Sequence, residues 1–388
     1  MRHKRYAQSP TRRAFLKAAA VSPALGLAGL SFGAEDERRR PNVVLIMADD
    51  LGYECIGANG SATYETPHLD ELARTGARFE HCYSQPLCTP TRVQIMTGRY
   101  FSRNYTQFGQ LRQGEPTFGH MMKDAGYATG VFGKWQLQGR GGQTAPQAGF
   151  GDYCLWNYTG TTRQRYADAS LAYIDPATGA EQVSEFTGEY GPDVCTRRLC
   201  DFARRAVASG TPFLAYYPMI LTHPPFVATP DSAVWKEDPH AQGSEYFGDM
   251  VAYMDTLVGR IVAALGELGV RDETLIMFTG DNGTAGGIVS EMRDGRSIKA
   301  GKGFHSDAGT HVPLIAHWRG TIGPGQVRDD LVDTTDFLPT IADATGAAPR
   351  TPPGDGVLDG RSFLPQLAGR PGRPREWVLV DYTEQRQD

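Results

Sequence analysis

The sequence predicts an α/β fold, a large mixed and mostly parallel sheet sandwiched by helices, and three observations lead to it. Two apolar runs, Asn42-Val43-Val44-Leu45-Ile46-Met47-Ala48 and Thr274-Leu275-Ile276-Met277-Phe278-Thr279, stop abruptly at polar groups, Asp49-Asp50 after the first and Gly280-Asp281-Asn282-Gly283 after the second. Unbroken apolar runs of this length belong to strands buried on both faces, the habit of parallel pairing. The segment from Phe247 to Leu268 instead repeats Phe247, Met250, Val251, Met254, Leu257, Val258, Ile261, Val262, Leu265 and Leu268 at helical spacing, one apolar face for packing on a sheet. In a fold where strands alternate with helices, the site lies beyond the carboxyl ends of the strands, and there the two acidic clusters converge.

In chain order, Arg12-Arg13 precedes an Ala/Gly/Leu-rich stretch from Ala18 to Ala34 and resembles a twin-arginine export signal. The stretch is short and interrupted by Pro23 and several glycines, so it makes no stable membrane span. Residues 1–34 are therefore expected to be a signal handled by the twin-arginine translocase, 35–40 a linker, and the destination periplasmic or secreted. Thr66 as cap with Pro67 at the first position predicts a helix running to Gly76. Further strands are expected at Ala128 to Phe132, Phe213 to Tyr217 and Val312 to Trp318. The catalytic domain then spans 41–345, and a Pro/Gly/Asp-rich connection from Gly346 to Gly372 leads to a last expected strand, Trp377 to Val380.

Composition narrows the function classes. The 388 residues carry a formal net charge of −5 and no long basic run beyond the N-terminus, so nothing offers a footprint to nucleic acid. Six cysteines, Cys55, Cys82, Cys88, Cys154, Cys195 and Cys200, are too few for a disulfide scaffold, and Cys195 pairs with Cys200 only if geometry allows. No Cys/His cluster has zinc-finger spacing, which argues against a structural zinc. Trp156, Tyr158, Tyr166 and Tyr190 fall in a loop-rich region, where aromatics either stack on sugars or pack locally.

The sharpest motif is Cys88-Thr89-Pro90-Thr91-Arg92, followed by a helix-compatible stretch through Val93, Ile95 and Met96 to Gly98-Arg99. Asp49, Asp50, Asp281 and Asn282 are hard oxygen donors, a set that suits Ca²⁺ at about 2.3–2.6 Å and Mg²⁺ less well. Taken alone, a paired Asp-Asp is also explained by a turn or a helix cap.

These blocks together resemble the formylglycine-dependent, arylsulfatase-type sulfatase family, alkaline-phosphatase-like in fold. Residues 41–52, Thr66 to Asp70, Gly133-Lys134-Trp135, Thr222-His223-Pro224-Pro225-Phe226, Asp281-Asn282-Gly283, Lys302-Gly303 and Asp336 to Thr340 follow the order of the family's blocks. The resemblance implies a sulfuric ester hydrolase acting on a sulfated small molecule or a sulfated glycan. A formylglycine-generating enzyme would convert Cys88 to formylglycine (3-oxoalanine), whose hydrated form attacks sulfur. It implies one Ca²⁺ held by Asp49, Asp50, Asp281, Asn282 and the modified Cys88. Arg92 would hold residue 88, Lys134 and Lys302 would neutralise sulfate oxygens, and His223 would protonate the leaving oxygen.

Three departures stand against the family pattern. Gln136 occupies the place of the usual histidine after Gly-Lys-Trp, and an amide is no base near neutral pH. The block from Gly303 to His311 diverges, keeping Asp307 and His311 as polar residues. The C-terminal subdomain is expected to be short or missing, with 346–388 a truncated segment. A phosphonate or phosphodiester hydrolase of the same superfamily and a non-catalytic binder of sulfated glycans are the two alternative readings.

Overall fold

The computed structural model describes residues 40–159 and 164–381, so the signal expected over 1–34 and the linker after it, apart from Arg40, lie outside the described residues. The strands are β1 (Asn42–Ala48), β2 (Ala77–Tyr83), β3 (Ala128–Lys134), β4 (Asp152–Trp156), β5 (Ser170–Ile174), β6 (Glu181–Glu185), β7 (Phe213–Pro218), β8 (Thr274–Gly280), β9 (Val289–Glu291), β10 (Ser297–Lys299), β11 (Leu314–His317) and β12 (Gln326–Asp333). Between them lie the helices α1 (Pro67–Thr75), α2 (Cys88–Thr97), α3 (Phe101–Asn104), α4 (Phe118–Asp124), α5 (Gly191–Ala208), α6 (Phe247–Glu267), α7 (Asp307–Thr310), α8 (Phe337–Thr345) and α9 (Leu364–Leu367).

Ten of these strands form one sheet in the order β12-β2-β11-β8-β1-β7-β3-β4-β5-β6, and β9 with β10 makes a separate hairpin. Strands β8, β1, β7, β3 and β4 run parallel at its centre, while β11 and β5 enter antiparallel on either side. The expected mixed, mostly parallel sheet is therefore present.

Strand alternation explains how the helices are divided between the faces. Val44 and Ile46 of β1 join Leu69 and Leu72 of α1, Val194 and Leu199 of α5, and Met250, Met254 and Leu257 of α6 in one core. Val43, Leu45 and Met47 point the other way and join Val93 and Ile95 of α2, Phe118 and Met121 of α4, and Phe337 and Ile341 of α8. A seven-residue strand with no exposed position thus needs a helical layer on each side.

Three expectations change on the structure. The side chain of Thr66 does not cap α1; its hydroxyl accepts from Gly57 N at 2.9 Å and donates to Asp70 Oδ1 at 3.1 Å. The free N–H groups of His68 and Leu69 are met instead by the carboxylate of Asp255 on α6, at 2.9 and 2.8 Å. Trp377 to Val380 is not a strand: on the edge of β12 away from β2, a single bridge joins Leu331 to Arg375 among the described residues, and Trp377 stacks on Tyr100 at 6.0 Å. Cys195 and Cys200 lie on the same helix, α5, and all six cysteines are free. Trp156, Tyr158, Tyr166 and Tyr190 are buried, which favours packing for most of their surface.

Residues 346–381 return to the same body. Phe363 and Leu367 enter the second core, and buried Arg375 reaches Asp336 at 2.5 Å, Tyr100 Oη at 2.8 Å and Asp359 O at 2.9 Å.

Candidate active site

Four neighbouring parallel strands deliver the polar groups. Asp49 and Asp50 follow β1, Asp281 and Asn282 follow β8, Lys134 ends β3, and His223 lies just beyond β7. Because β7 stands between β1 and β3, Lys134 has to reach over its end. Gly133 makes room for this: at φ +112° it takes a conformation open to glycine, and a Cβ there would sit 2.1 Å from Pro218 O.

The charges are buried and closely matched. Lys134 Nζ donates to both oxygens of Asp49, at 3.0 and 2.8 Å, and both side chains are almost fully enclosed. Arg92 Nη2 donates to Asp281 Oδ2 at 2.9 Å and lies 3.4 Å from Asp49 Oδ1, while its Nη1 donates to Lys134 O at 3.3 Å. Lys302 Nζ meets Asp50 Oδ2 at 2.5 Å, and Asn282 Nδ2 donates to Asp50 Oδ1 at 2.8 Å. Asp50 itself sits at φ +62°, with its N–H donating to Asp281 Oδ1 at 2.9 Å. The carboxylates are thus laced together by the strand ends that carry them.

Protonation follows from this packing. Burial alone would raise Asp49, but Lys134, His223, Arg92 and Lys302 overcome it and hold its carboxyl well below the usual range. Asp281 goes the other way, pushed up to about 7 by burial and then by the charge of Asp49 beside it. Burial holds the Lys302 ammonium back, yet Asp50 and Asp49 raise it overall. His223 is lowered chiefly by burial. Its Nδ1 lies 2.7 Å from Pro224 O and 3.2 Å from Arg165 Nη2, and its Nε2 faces Asp50 Oδ2 at 3.8 Å.

Cys88 opens α2, so its side chain stands at the positive end of a helix, with Arg92 one turn further on the same face. It is buried, which pushes its thiol up, and the thiol donates to Gln136 Oε1 at 3.2 Å. The site therefore gathers Cys88, Arg92, Lys134, His223, Lys302, Asp49, Asp50, Asp281 and Asn282 in one place. Among the described residues, Asp49, Asp50 and His223 each offer a ligand atom within 4.8 Å of the others.

The donor set fits a hard cation. Asn282 spends its amide nitrogen on Asp50 and Gly283 O, while its buried Oδ1 has no hydrogen-bond partner among the described residues. An orphaned amide oxygen beside three carboxylates is the chemistry of a calcium-type ligand shell.

Comparison with known proteins decides the family. The sulfatase family model matches residues 41–347. The chain belongs to the sulfatase family. It is 33% identical to human arylsulfatase A over 368 residues, covering 87% of this chain and 70% of that protein. With mouse steryl-sulfatase it shares 30% over 438 residues, 89% of this chain and 68% of that one. The crystal structure of Ps i-CgsB superposes with a TM-score of 0.71 at 27% identity, covering 85% of this chain and 76% of that chain, and a second structure of it holds k-i-k-neocarrahexaose. As a sulfatase, the protein is a sulfuric ester hydrolase.

Two residues of the sulfatase site escaped the sequence reading of its catalytic set. Gln136 stood out only as a departure, yet it is the hydrogen-bond partner of Cys88. Arg165 places Nη2 3.2 Å from His223 Nδ1 and donates to Pro224 O. No spacing rule links an arginine in the loop after β4 to a histidine after β7, so no sequence signal marks it.

Proposed function

We propose that this sulfatase works with a nucleophile made from Cys88 and with one Ca²⁺ held by Asp49, Asp50, Asp281, Asn282 and residue 88. The observation that carries the reading is the buried convergence of those oxygen donors with Lys134, Lys302 and His223 beside a cysteine at a helix start. Formylglycine at position 88 supplies a hydroxyl nucleophile when hydrated, and the cation would lower the pKa of that hydroxyl and screen the sulfate charge.

The chain's own residues account for the rest. Lys134 and Lys302 place two ammonium groups at the carboxylates, where they exchange part of their pairing for sulfate oxygens as negative charge builds. Arg92 ties Asp281, Asp49 and the end of β3 together, so residue 88 attacks from a fixed direction. His223 turns Nε2 toward the site, and its lowered pKa makes the imidazolium a ready proton donor to the leaving oxygen.

Conversion of Cys88 requires a formylglycine-generating enzyme, and the reading of residues 1–34 supports export through the twin-arginine translocase to the periplasm or medium. The substrate is a sulfated small molecule or a sulfated glycan.

The test is peptide mass spectrometry across Cys88 in protein from a host with that enzyme, followed by sulfate release. A loss of about 18 Da together with turnover of an aryl sulfate in preference to a phosphonate or a phosphodiester is expected. An unmodified thiol in that host, or preferential turnover of either phosphorus ester, would refute the proposal.

A further inference from the structure

Beside the site lies a cavity of about 430 Å³ that the mechanism above leaves unused, within the common range of small-ligand sites. Trp156, Gln164, Arg165, Tyr166, Pro225 and His240 wall it. Trp156 ends β4 and pairs in register with Lys134 at the end of β3, so the cavity opens one strand away from the lysine that grips Asp49. Its wall is held in place from several sides. Gly191 N–H donates to Tyr166 O at 2.8 Å, Tyr166 Oη donates to Ile220 O at 3.3 Å, and Ala167 forms a bridge with Tyr190.

The cation on this wall has donors to spare. The Arg165 guanidinium lies over the Trp156 ring, 4.5 Å from its centroid, which fixes its plane. Of its five N–H donors, the contacts with the His223 loop engage those of Nη2. Among the described residues no carboxylate stands within ion-pair distance of Arg165. Trp156 is 8% exposed, so its ring is held in the wall as a fixed platform under the guanidinium. His240 is already matched by Asp168 at 3.1 Å. A planar cation stacked on an indole ring, with guanidinium donors left over, is complementary to an acceptor-only anion.

Resting on the sulfate-ester reading, we infer that Arg165 and Trp156 form a subsite for a second anionic group, a carboxylate or a further sulfate, on the same saccharide whose ester is hydrolysed. The His223 ring separates the two places: its Nδ1 side meets Arg165 and its Nε2 side meets Asp50. The substrate class narrows to saccharides carrying at least two negative charges close together.

The experiment measures kcat/KM on protein whose Cys88 conversion has been verified by mass, against three saccharide sulfate esters that differ only in a neighbouring group: neutral, carboxylate or sulfate. The wild type is expected to favour a charged ester over the neutral one by about tenfold or more, and the better of the two charged esters identifies the anion. In Arg165→Ala that ratio should collapse toward one, and in Trp156→Ala, which removes the ring that fixes the guanidinium plane, it should fall partway. Any disturbance of His223 strikes all three esters alike and cancels in the ratio. A wild type without preference, or an Arg165→Ala ratio equal to the wild-type ratio, overturns the subsite. Calorimetric titration with the same saccharides separates this from failure of the hydrolase reading. Charge-selective, Arg165-dependent binding without turnover of any ester would sink the hydrolase and leave the subsite standing; absence of both would sink the two together.

Discussion

The thiol of Cys88 and the side-chain oxygen of Gln136 lie 3.2 Å apart, and Gln136 holds this position from a backbone at φ +57°. An amide at that distance can orient whatever group residue 88 becomes, but it cannot take a proton from it near neutral pH. Histidine is among the residues that tolerate left-handed backbone, so the exchange is sterically feasible. Gln136→His is therefore expected to raise kcat on an aryl sulfate by about a hundredfold, the low end of general-base catalysis. Steady-state kinetics at saturating substrate check it; an unchanged or lower kcat refutes the idea that proton removal limits turnover.

Arg92 is the cation that keeps Asp281 and part of Asp49 compensated in the interior. Arg92→Ala leaves a buried carboxylate without its partner and is expected to cost on the order of 3–5 kcal/mol in urea unfolding. Adding Asp281→Asn should recover part of that loss, because the charge left stranded is then gone. A double variant no more stable than Arg92→Ala would show that the loss comes from packing.

Divalent ions should stabilise the fold. Asp49, Asp50 and Asp281 face one another across the strand ends, and Asn282 Oδ1 has no hydrogen-bond partner among the described residues. Chelation is expected to lower the melting temperature and added Ca²⁺ to restore it, by about 2.7 kcal/mol at a hundredfold excess over Kd. Asn282→Ala should shrink the calcium-dependent shift. Scanning calorimetry with and without chelator is the measurement, and identical transitions would count against a cation site.

Asp333 supplies a stability signal in acid that is separate from catalysis. Burial raises it from its ordinary 3.8 to about 6, against the pull of Arg375. The folded chain then holds a proton between those values that the unfolded chain has lost, so this group makes stability fall as pH rises from about 4 to 6 and level off above. The rise corresponds to on the order of 3 kcal/mol. Asp333→Asn keeps an acceptor for Thr335 N, now 2.9 Å away, and should be more stable than wild type at pH 8 yet nearly equal to it at pH 4. Urea midpoints at the two pH values test this; a difference that does not change with pH would refute it.

Much of the scaffold was legible because burial leaves a plain pattern. β1 and β8 had to be apolar at every position to lie between two helical layers, and α6 had to carry its apolar stripe toward one of them. Asp49, Asp50, Asp281 and Asn282 were legible as strand-end donors, whereas Lys134, His223 and Lys302 were found only through the order of the sulfatase blocks. A lone lysine or histidine has no periodicity of its own.

The sequence by itself determined the fold class, the strand ends that bear the carboxylates and the cysteine at the head of α2, since each depends on residues close together in the chain. Only the tertiary structure decided which charges pair. Lys134 meets Asp49 across 85 residues, and Lys302 meets Asp50 across 252. The same holds for Asp255 closing the start of α1 from 187 residues away, and for Arg165 standing over Trp156 beside His223. Buried donors and acceptors must find partners wherever the chain brings them, and that choice is made by the packing of strands and helices, not by neighbours in sequence.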